Sequence, residues 1–171
     1  MNPLSNLPHA TPESVWAILQ ENALQIKELQ KLTGSWANNH GFFAEEYFIN
    51  SFKKGQKNFF GENFDEMIDH VKGIPKKGFE DEYDILLING KSVGIVEIKF
   101  KAHVNDVPKI LRKAQTFRVN FPEYKNHQVY LGLATMTFYQ GLEQECINQG
   151  IAVIKQVDDT VIINDAHLKV F

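Results

Sequence analysis

Residues 82–101 read EYDILLINGKSVGIVEIKFK, and three charges within them, Asp84, Glu97 and Lys99, govern how the whole chain is read. The apolar runs on either side of Asn89-Gly90 predict two short antiparallel strands, Asn-Gly being the strongest short-range hairpin signal. A charge inside such a strand must be solvated, paired or bound to a metal, because burying it bare is costly. From 93 to 100 the even positions, Gly94, Val96, Ile98 and Phe100, are all apolar and are expected to face the core. Glu97 and Lys99 share the odd face with Val93 and Ile95. A two-residue Asn89-Gly90 loop would pair Ile88 with Lys91; a four-residue loop would pair it with Val93. Either register brings Asp84 onto the face of Glu97 and Lys99, whereas a three-residue loop without a bulge would separate them.

Two carboxylates side by side repel at neutral pH unless a cation lies between them. Oxygen ligands with open positions suit Mg²⁺, which keeps waters and takes one or two carboxylates plus phosphate oxygens. Such an ion polarises a phosphoryl oxygen and lowers the pKa of a bound water. Lys99 is expected to orient that water or to stabilise charge building on the phosphate. Glu45, in the helical pattern HGFFAEEYFINSF, is placed to bind a second cation or hold a metal-associated water. Together these groups form a phosphodiester-hydrolysing constellation.

Outward from the hairpin, Thr11-Pro12-Glu13-Ser14 predicts a helix start, with Thr11 as N-cap and Pro12 in the first turn. Val15, Leu19, Ile26 and Leu29 give it an amphipathic face as far as Leu32, and Gly34 is expected to end it. That face is a candidate coiled coil, hence a homodimer contact, or a helix packed on the core. A second helix is predicted over Asn39–Phe52, followed by Lys53, Lys54 and Lys57. Residues 58–80 are ambiguous: Phe64, Met67, Ile68 and Val71 have helical spacing, while the topology below favours a strand leading through Gly73 and Pro75. Beyond the hairpin, Asn105 or Asp106 is expected to cap a helix reaching Asn120, with Pro108 in its first turn. Strands are predicted at Gln128–Phe138, Ile151–Val157 and Val161–Ile163, the last two joined by an Asp158-Asp159 turn, and a helix at Gly141–Asn148. The fold class is α/β, a mixed β-sheet flanked by helices with an N-terminal amphipathic helix. A leader and that helix (1–38) precede a single domain (39–171).

The 171 residues suit one sizeable core,. A formal net charge of −3 argues against wholesale attraction to nucleic acid and leaves local basic patches as the alternative,. Lys101, Lys109, Arg112 and Lys113 are the candidate nucleic-acid contacts, against the plainer reading of a solvated helix face. A lone cysteine, Cys146, excludes an internal disulfide and a cysteine-based zinc site, and its helical spacing predicts a buried thiol. No apolar run is long enough to span a bilayer and no signal-peptide pattern opens the chain, so a cytoplasmic location is expected.

The pattern Asp84-(x)12-Glu97-x-Lys99, on a hairpin preceded by a helix that carries Glu45, resembles the PD-(D/E)XK nuclease superfamily, the restriction endonuclease-like fold. The resemblance covers residues 40–138 and implies the order αβββαβ. It further implies that Asp84, Glu97 and the backbone carbonyl of Ile98 bind Mg²⁺ or Mn²⁺, that Lys99 assists the attacking water, and that Glu45 joins them. DNA is the substrate it implies, with RNA as the alternative. Tyr83 stands where the superfamily's name implies Pro, and no QxxxY signature is present, although Gln115 lies on the matching helix. Two other readings compete: Glu97 and Lys99 as an ion pair on a solvent-exposed sheet face, and a catalytically silent adaptor using its N-terminal helix. A histidine metalloenzyme fits poorly, because His40, His70, His103, His127 and His167 show no ligand spacing and His9 sits in the leader. His103 follows the motif strand closely enough to reach a scissile phosphate, but reads first as a loop histidine.

Overall fold

The computed structural model describes residues 11–55, 58–73, 76–158 and 160–171. The expectations for the leader up to residue 10 (His9 included), Lys57, Pro75 and Asp159 lie outside the described residues. Helix α1 spans Pro12–Gly55, and the chain divides into two units between Asn39 and His40.

In the first unit, Thr11 caps α1 as its residue type predicts. Its Oγ1 accepts from the Ser14 amide at 3.1 Å, and its own amide donates to Ser14 Oγ at 2.9 Å,. Gly34 does not end the helix but lies within it; an isolated glycine in a helix is tolerated at a penalty of about 1 kcal/mol. Val15, Leu19, Ile26 and Leu29 are all exposed.

The second unit begins with the rest of α1, whose Ala44, Phe48, Ile49 and Phe52 are buried. Two-residue strands β1 (Asn58–Phe59) and β2 (Glu62–Asn63) form a small hairpin. A mixed six-stranded sheet follows, its strands adjacent in chain order: β3 (Glu66–Lys72), β4 (Glu82–Ile88), β5 (Ser92–Ala102), β6 (Gln128–Phe138), β7 (Ala152–Val157) and β8 (Thr160–Asn164). β3–β4–β5 is an antiparallel meander, β5–β6 and β6–β7 are parallel, and β8 returns antiparallel. The parallel connections carry helices, α2 (Val107–Asn120) and α3 (Leu142–Gln149), as parallel crossovers require,.

Both faces of the sheet are covered. Phe48, Ile49 and Phe52 of α1 pack with Phe59, Phe60 and Phe64 over Ile85, Leu87, Val96 and Ile98. On the other face, Val107, Ile110, Ala114 and Phe117 of α2 pack over Leu86, Ile88, Val93 and Ile95. The odd face of β5 is therefore no open surface: its first half is core, because the crossover to β6 lays α2 across it.

Residues 66–72 form a strand, in spite of their helical spacing. Alternation breaks at His70, whose φ of 51° is left-handed, and Ile68 and Val71, three apart, consequently join the same cluster beneath α2. Across the ladder the same break recurs at Asp84: Tyr83 and Leu86 both face α2, while Ile85 faces α1. A strand with a bend mimics helical periodicity over one turn.

The turn expected at Asn89-Gly90 is shifted by one residue. Asn89 opens the turn and Gly90-Lys91 are its centre. The Asn89 amide donates to the Ser92 carbonyl at 3.1 Å, and its Oδ1 accepts from the Ser92 amide at 2.7 Å. The resulting register pairs Ile88 with Val93, the four-residue-loop alternative. Elsewhere, close approach requires one glycine. A Cβ on Gly94 would lie 2.6 Å from Cε2 of the buried Phe60 ring, while one on Gly132 would crowd Ile154 Cδ1 at 3.1 Å and Phe60 Cζ at 3.3 Å. Gly94→Ala is thus expected to lower stability by about 1–3 kcal/mol, the range for overpacking, measured by urea denaturation. Cys146 is fully buried, and burial pushes its thiol up to about 11. It should react with a thiol reagent only at the rate of unfolding.

Candidate functional site

The β4–β5 ladder runs from the Ile88–Val93 pair to Ile85–Val96 and then stops. Beyond it, the Asp84 side chain takes over the role of the missing backbone partner, its Oδ2 accepting from the Ile98 amide at 2.8 Å. That single bond explains both the end of the ladder and the side exchange at Asp84. It also turns the carboxylate toward β5, where Glu97 stands. Asp84 and Glu97 each feel the other's carboxyl, so the two stand in one electrostatic neighbourhood.

Their electrostatics are those of a crowded acidic pair. Burial, then repulsion by Asp84, pushes the Glu97 carboxyl up to about 7, against relief from Lys113 and Lys99. Burial also raises Asp84, opposed by the Ile98 amide and by Lys113. Glu45, half-buried on α1, is raised by burial and by the fields of Asp84 and Glu82, and eased by His70. Glu45 therefore belongs to the same electrostatic neighbourhood, as its position on the preceding helix predicts.

Lys99 sits differently from the expectation. Its Nζ lies 3.6 Å from Oδ1 of Asp106, the residue preceding α2, although its charge still reaches Glu97. Asp106 occupies the N-cap position of α2, but its Oδ2 accepts from the His103 amide rather than capping the helix. The ammonium nearest the carboxyl pair is Lys113, from α2. It is buried, 3.1 Å from Glu97 Oε2 and 3.0 Å from Asp81 Oδ1, and it also donates to the Glu82 carbonyl. Glu97 Oε2 is itself buried and receives no hydrogen bond of normal geometry.

Of the candidate nucleic-acid contacts, Lys101 and Lys109 are exposed, and the Arg112 guanidinium donates to the Gly78 carbonyl at 2.6 Å near the surface. Lys113 is not a surface cation: its ammonium is engaged inside by Asp81 and Glu97. Nor do Glu97 and Lys99 form an exposed ion pair, since Glu97 pairs with Lys113 and Lys99 with Asp106. His103 is exposed and stacks on Tyr139, ring centroids 4.1 Å apart.

Asp81, Thr116, Tyr83 and Asn120 extend the Lys113 contact into a buried polar network. Thr116 Oγ1 donates to Asp81 Oδ2 at 2.7 Å, and Tyr83 donates to Thr116 Oγ1 at 2.9 Å. The sequence carries a signal for this. Lys113, Thr116 and Asn120 fall at helical spacings of three and four, among Ile110, Ala114 and Phe117, so polar groups occupy the apolar face of α2. His70 has no such signal; its place across from Asp84 follows from the strand register alone.

Among protein-family models, curated proteins and solved structures, none matches this chain. Among the described residues, no three or more His, Cys, Asp or Glu side chains gather closely enough to hold a metal by themselves. No described helix is long and apolar enough to cross a membrane. A two-carboxylate centre completed by backbone carbonyl and water is the donor set left to consider, and it suits Mg²⁺ or Mn²⁺ rather than zinc. The half-buried carboxyl pair fits such an ion, which would relieve the repulsion between its members,.

Proposed function

We propose that the chain is a divalent-metal-dependent nuclease of the PD-(D/E)XK type that hydrolyses DNA phosphodiester bonds. The observation that carries this reading is the half-buried Asp84–Glu97 pair, Asp84 accepting from the Ile98 amide at 2.8 Å and Glu97 lying 3.1 Å from the Lys113 ammonium, with both carboxyls raised by burial. The surroundings agree with it. A helix bearing Glu45, an antiparallel three-strand meander, α2 and a parallel β6 follow in the order the resemblance implies.

In this reading Asp84 and Glu97, with the Ile98 carbonyl, hold Mg²⁺ or Mn²⁺, and Glu45 supports the same site. The ion supplies Lewis-acid polarisation of the phosphoryl oxygen and a more acidic water. Lys99 leaves Asp106 to orient the attacking water and to stabilise charge on the phosphate; a 3.6 Å ion pair with part of its side chain exposed is a weak restraint on that move,. Water oxygen bonds to phosphorus as the bond to the leaving sugar oxygen breaks; the attacking water's proton passes to solvent and the departing alkoxide takes a proton from a solvent water. Lys101 and Lys109 are the exposed cations available to a phosphate backbone, together with Arg112.

The test is cleavage of plasmid DNA, DNA oligonucleotides and RNA with Mg²⁺ or Mn²⁺, comparing wild type with Asp84→Ala and Lys99→Ala. Loss of cleavage in both variants supports the reading. Equal activity in all three proteins contradicts it, and inactivity in all three favours the adaptor. The exposed Val15, Leu19, Ile26 and Leu29 of α1 are the surface such an adaptor, or a homodimer, would use.

A further inference from the structure

We infer that Lys113 is a positioning residue for the proposed cation site, holding the Glu97 carboxylate in place beside Asp84. This rests on the metal-dependent reading above. Asp84 is fixed independently, by the Ile98 amide at 2.8 Å. Glu97 has no equivalent: Lys113 at 3.1 Å is its one ion-pair partner among the described residues, and Oε2 receives no other donor. Lys113 is held in turn at Asp81, just before β4, and at the carbonyl of Glu82, its first residue. One side chain from α2 therefore ties the first residues of β4 to the middle of β5, the two segments that present the carboxyls. Burial restricts its movement, at 8% exposure, so the ammonium is a fixed element of the site rather than a surface charge that drifts in.

Charge and positioning predict different outcomes when Lys113 is replaced. Removing a cation near the site draws a divalent ion in more tightly where Glu97 is ionised and lets Glu97 keep its proton to higher pH, a loss of affinity that fades as pH rises,. Removing the group that orients a ligand instead weakens binding, typically by about 10–100-fold. The inference is that orientation wins, because Lys113 is the ion pair that holds Glu97 against the repulsion of Asp84.

The experiment is titration of the full chain with Mn²⁺ at pH 7.5 and 8.5, following bound metal by calorimetry and thermal stability in parallel, for wild type, Lys113→Met, Lys113→Gln and Gly94→Ala. Gly94→Ala crowds the Phe60 ring and leaves both ion pairs of Lys113 in place, so it controls for a merely structural loss. The expected result is a Kd for Mn²⁺ raised about 10-fold or more in the Lys113 variants at both pH values, with Gly94→Ala less stable but close to wild type in affinity. Lys113 variants that bind Mn²⁺ as well as wild type or better overturn the inference, as does an equal loss of affinity in Gly94→Ala or a loss that disappears at pH 8.5. Should Lys113→Met not fold, the Lys113→Gln comparison decides. If wild type itself binds no Mn²⁺, it is the metal-dependent reading that fails.

Discussion

Asp84→Asn is expected to reduce Mg²⁺-dependent cleavage by about 10³-fold or more, without lowering the thermal midpoint. The asymmetry follows from the two roles of this side chain. An amide oxygen still accepts from the Ile98 amide, the bond that ends the β4–β5 ladder. What it loses is the negative charge that, with Glu97, would hold the cation. Metal-based charge stabilisation is worth several kcal/mol, and about 4 kcal/mol corresponds to about a 10³-fold change in rate. Asp84→Ala gives the same loss of activity with an added structural penalty, since the Ile98 amide is left without its acceptor. A pair of rates from these two variants, read beside their melting curves, separates chemistry from folding. Activity retained in Asp84→Asn would remove Asp84 from the site.

Glu97→Gln should stabilise the metal-free protein at high pH, by about 2–3 kcal/mol at pH 8. The Glu97 carboxyl is raised from its ordinary 4.5 to about 7 in the folded chain. Below 4.5 both folded and unfolded forms carry the proton, and the group contributes nothing to pH dependence. Between 4.5 and about 7 the unfolded chain has released a proton that the folded chain keeps, so folding becomes less favourable as pH rises,. Above about 7 the full penalty is present. Asp84 and Glu45, also raised, act in the same direction. Asp81, lowered by its bonds to Thr116 and Lys113 against the effect of burial, acts oppositely, and its contribution is lost as pH falls through the acid range. The advantage of Glu97→Gln over wild type is therefore absent at pH 4, opens across the 4.5–7 window and levels off above it. Urea denaturation at pH 4, 6 and 8 checks this; a variant less stable than wild type at pH 8 without metal would show that the carboxylate is well accommodated. A site that lowers stability until its ion arrives is the usual trade between function and folding. Saturating Mn²⁺ should accordingly raise the thermal midpoint of wild type and leave that of Glu97→Gln nearly unchanged.

Much of this site is legible in the sequence. Parity in two strands predicts Asp84 beside Glu97, but strict alternation fails at Asp84, and it is the bond from the Ile98 amide that turns its carboxylate toward β5. Turn chemistry misleads by one residue, since the Asn89 side chain closes the hairpin by accepting from the amides of Lys91 and Ser92. Helical spacing misleads at 64–71, where the bend at His70 puts Ile68 and Val71 on one face. Gly34 misleads at the first helix, because propensity is a weak constraint inside a long helix,. The charge of Lys113 suggests a surface contact, yet the side chain is buried. Its helical phase, three residues after Ile110 and four before Phe117, already places it on the inner side of α2. Only the long-range pairing shows what receives it, since Asp81 and Glu97 come from segments far apart in the chain. His70 beside Asp84 likewise depends on register, a non-local property that no window of sequence contains.

The central claim is that Asp84 and Glu97 together form a divalent-cation site, and direct titration tests it without requiring a known substrate. Wild type and the Asp84→Asn/Glu97→Gln double variant would be titrated with Mn²⁺ at pH 8 by calorimetry. Saturable binding in wild type that disappears in the folded double variant is the predicted result. Binding of equal strength in both proteins, or none in wild type, would contradict it.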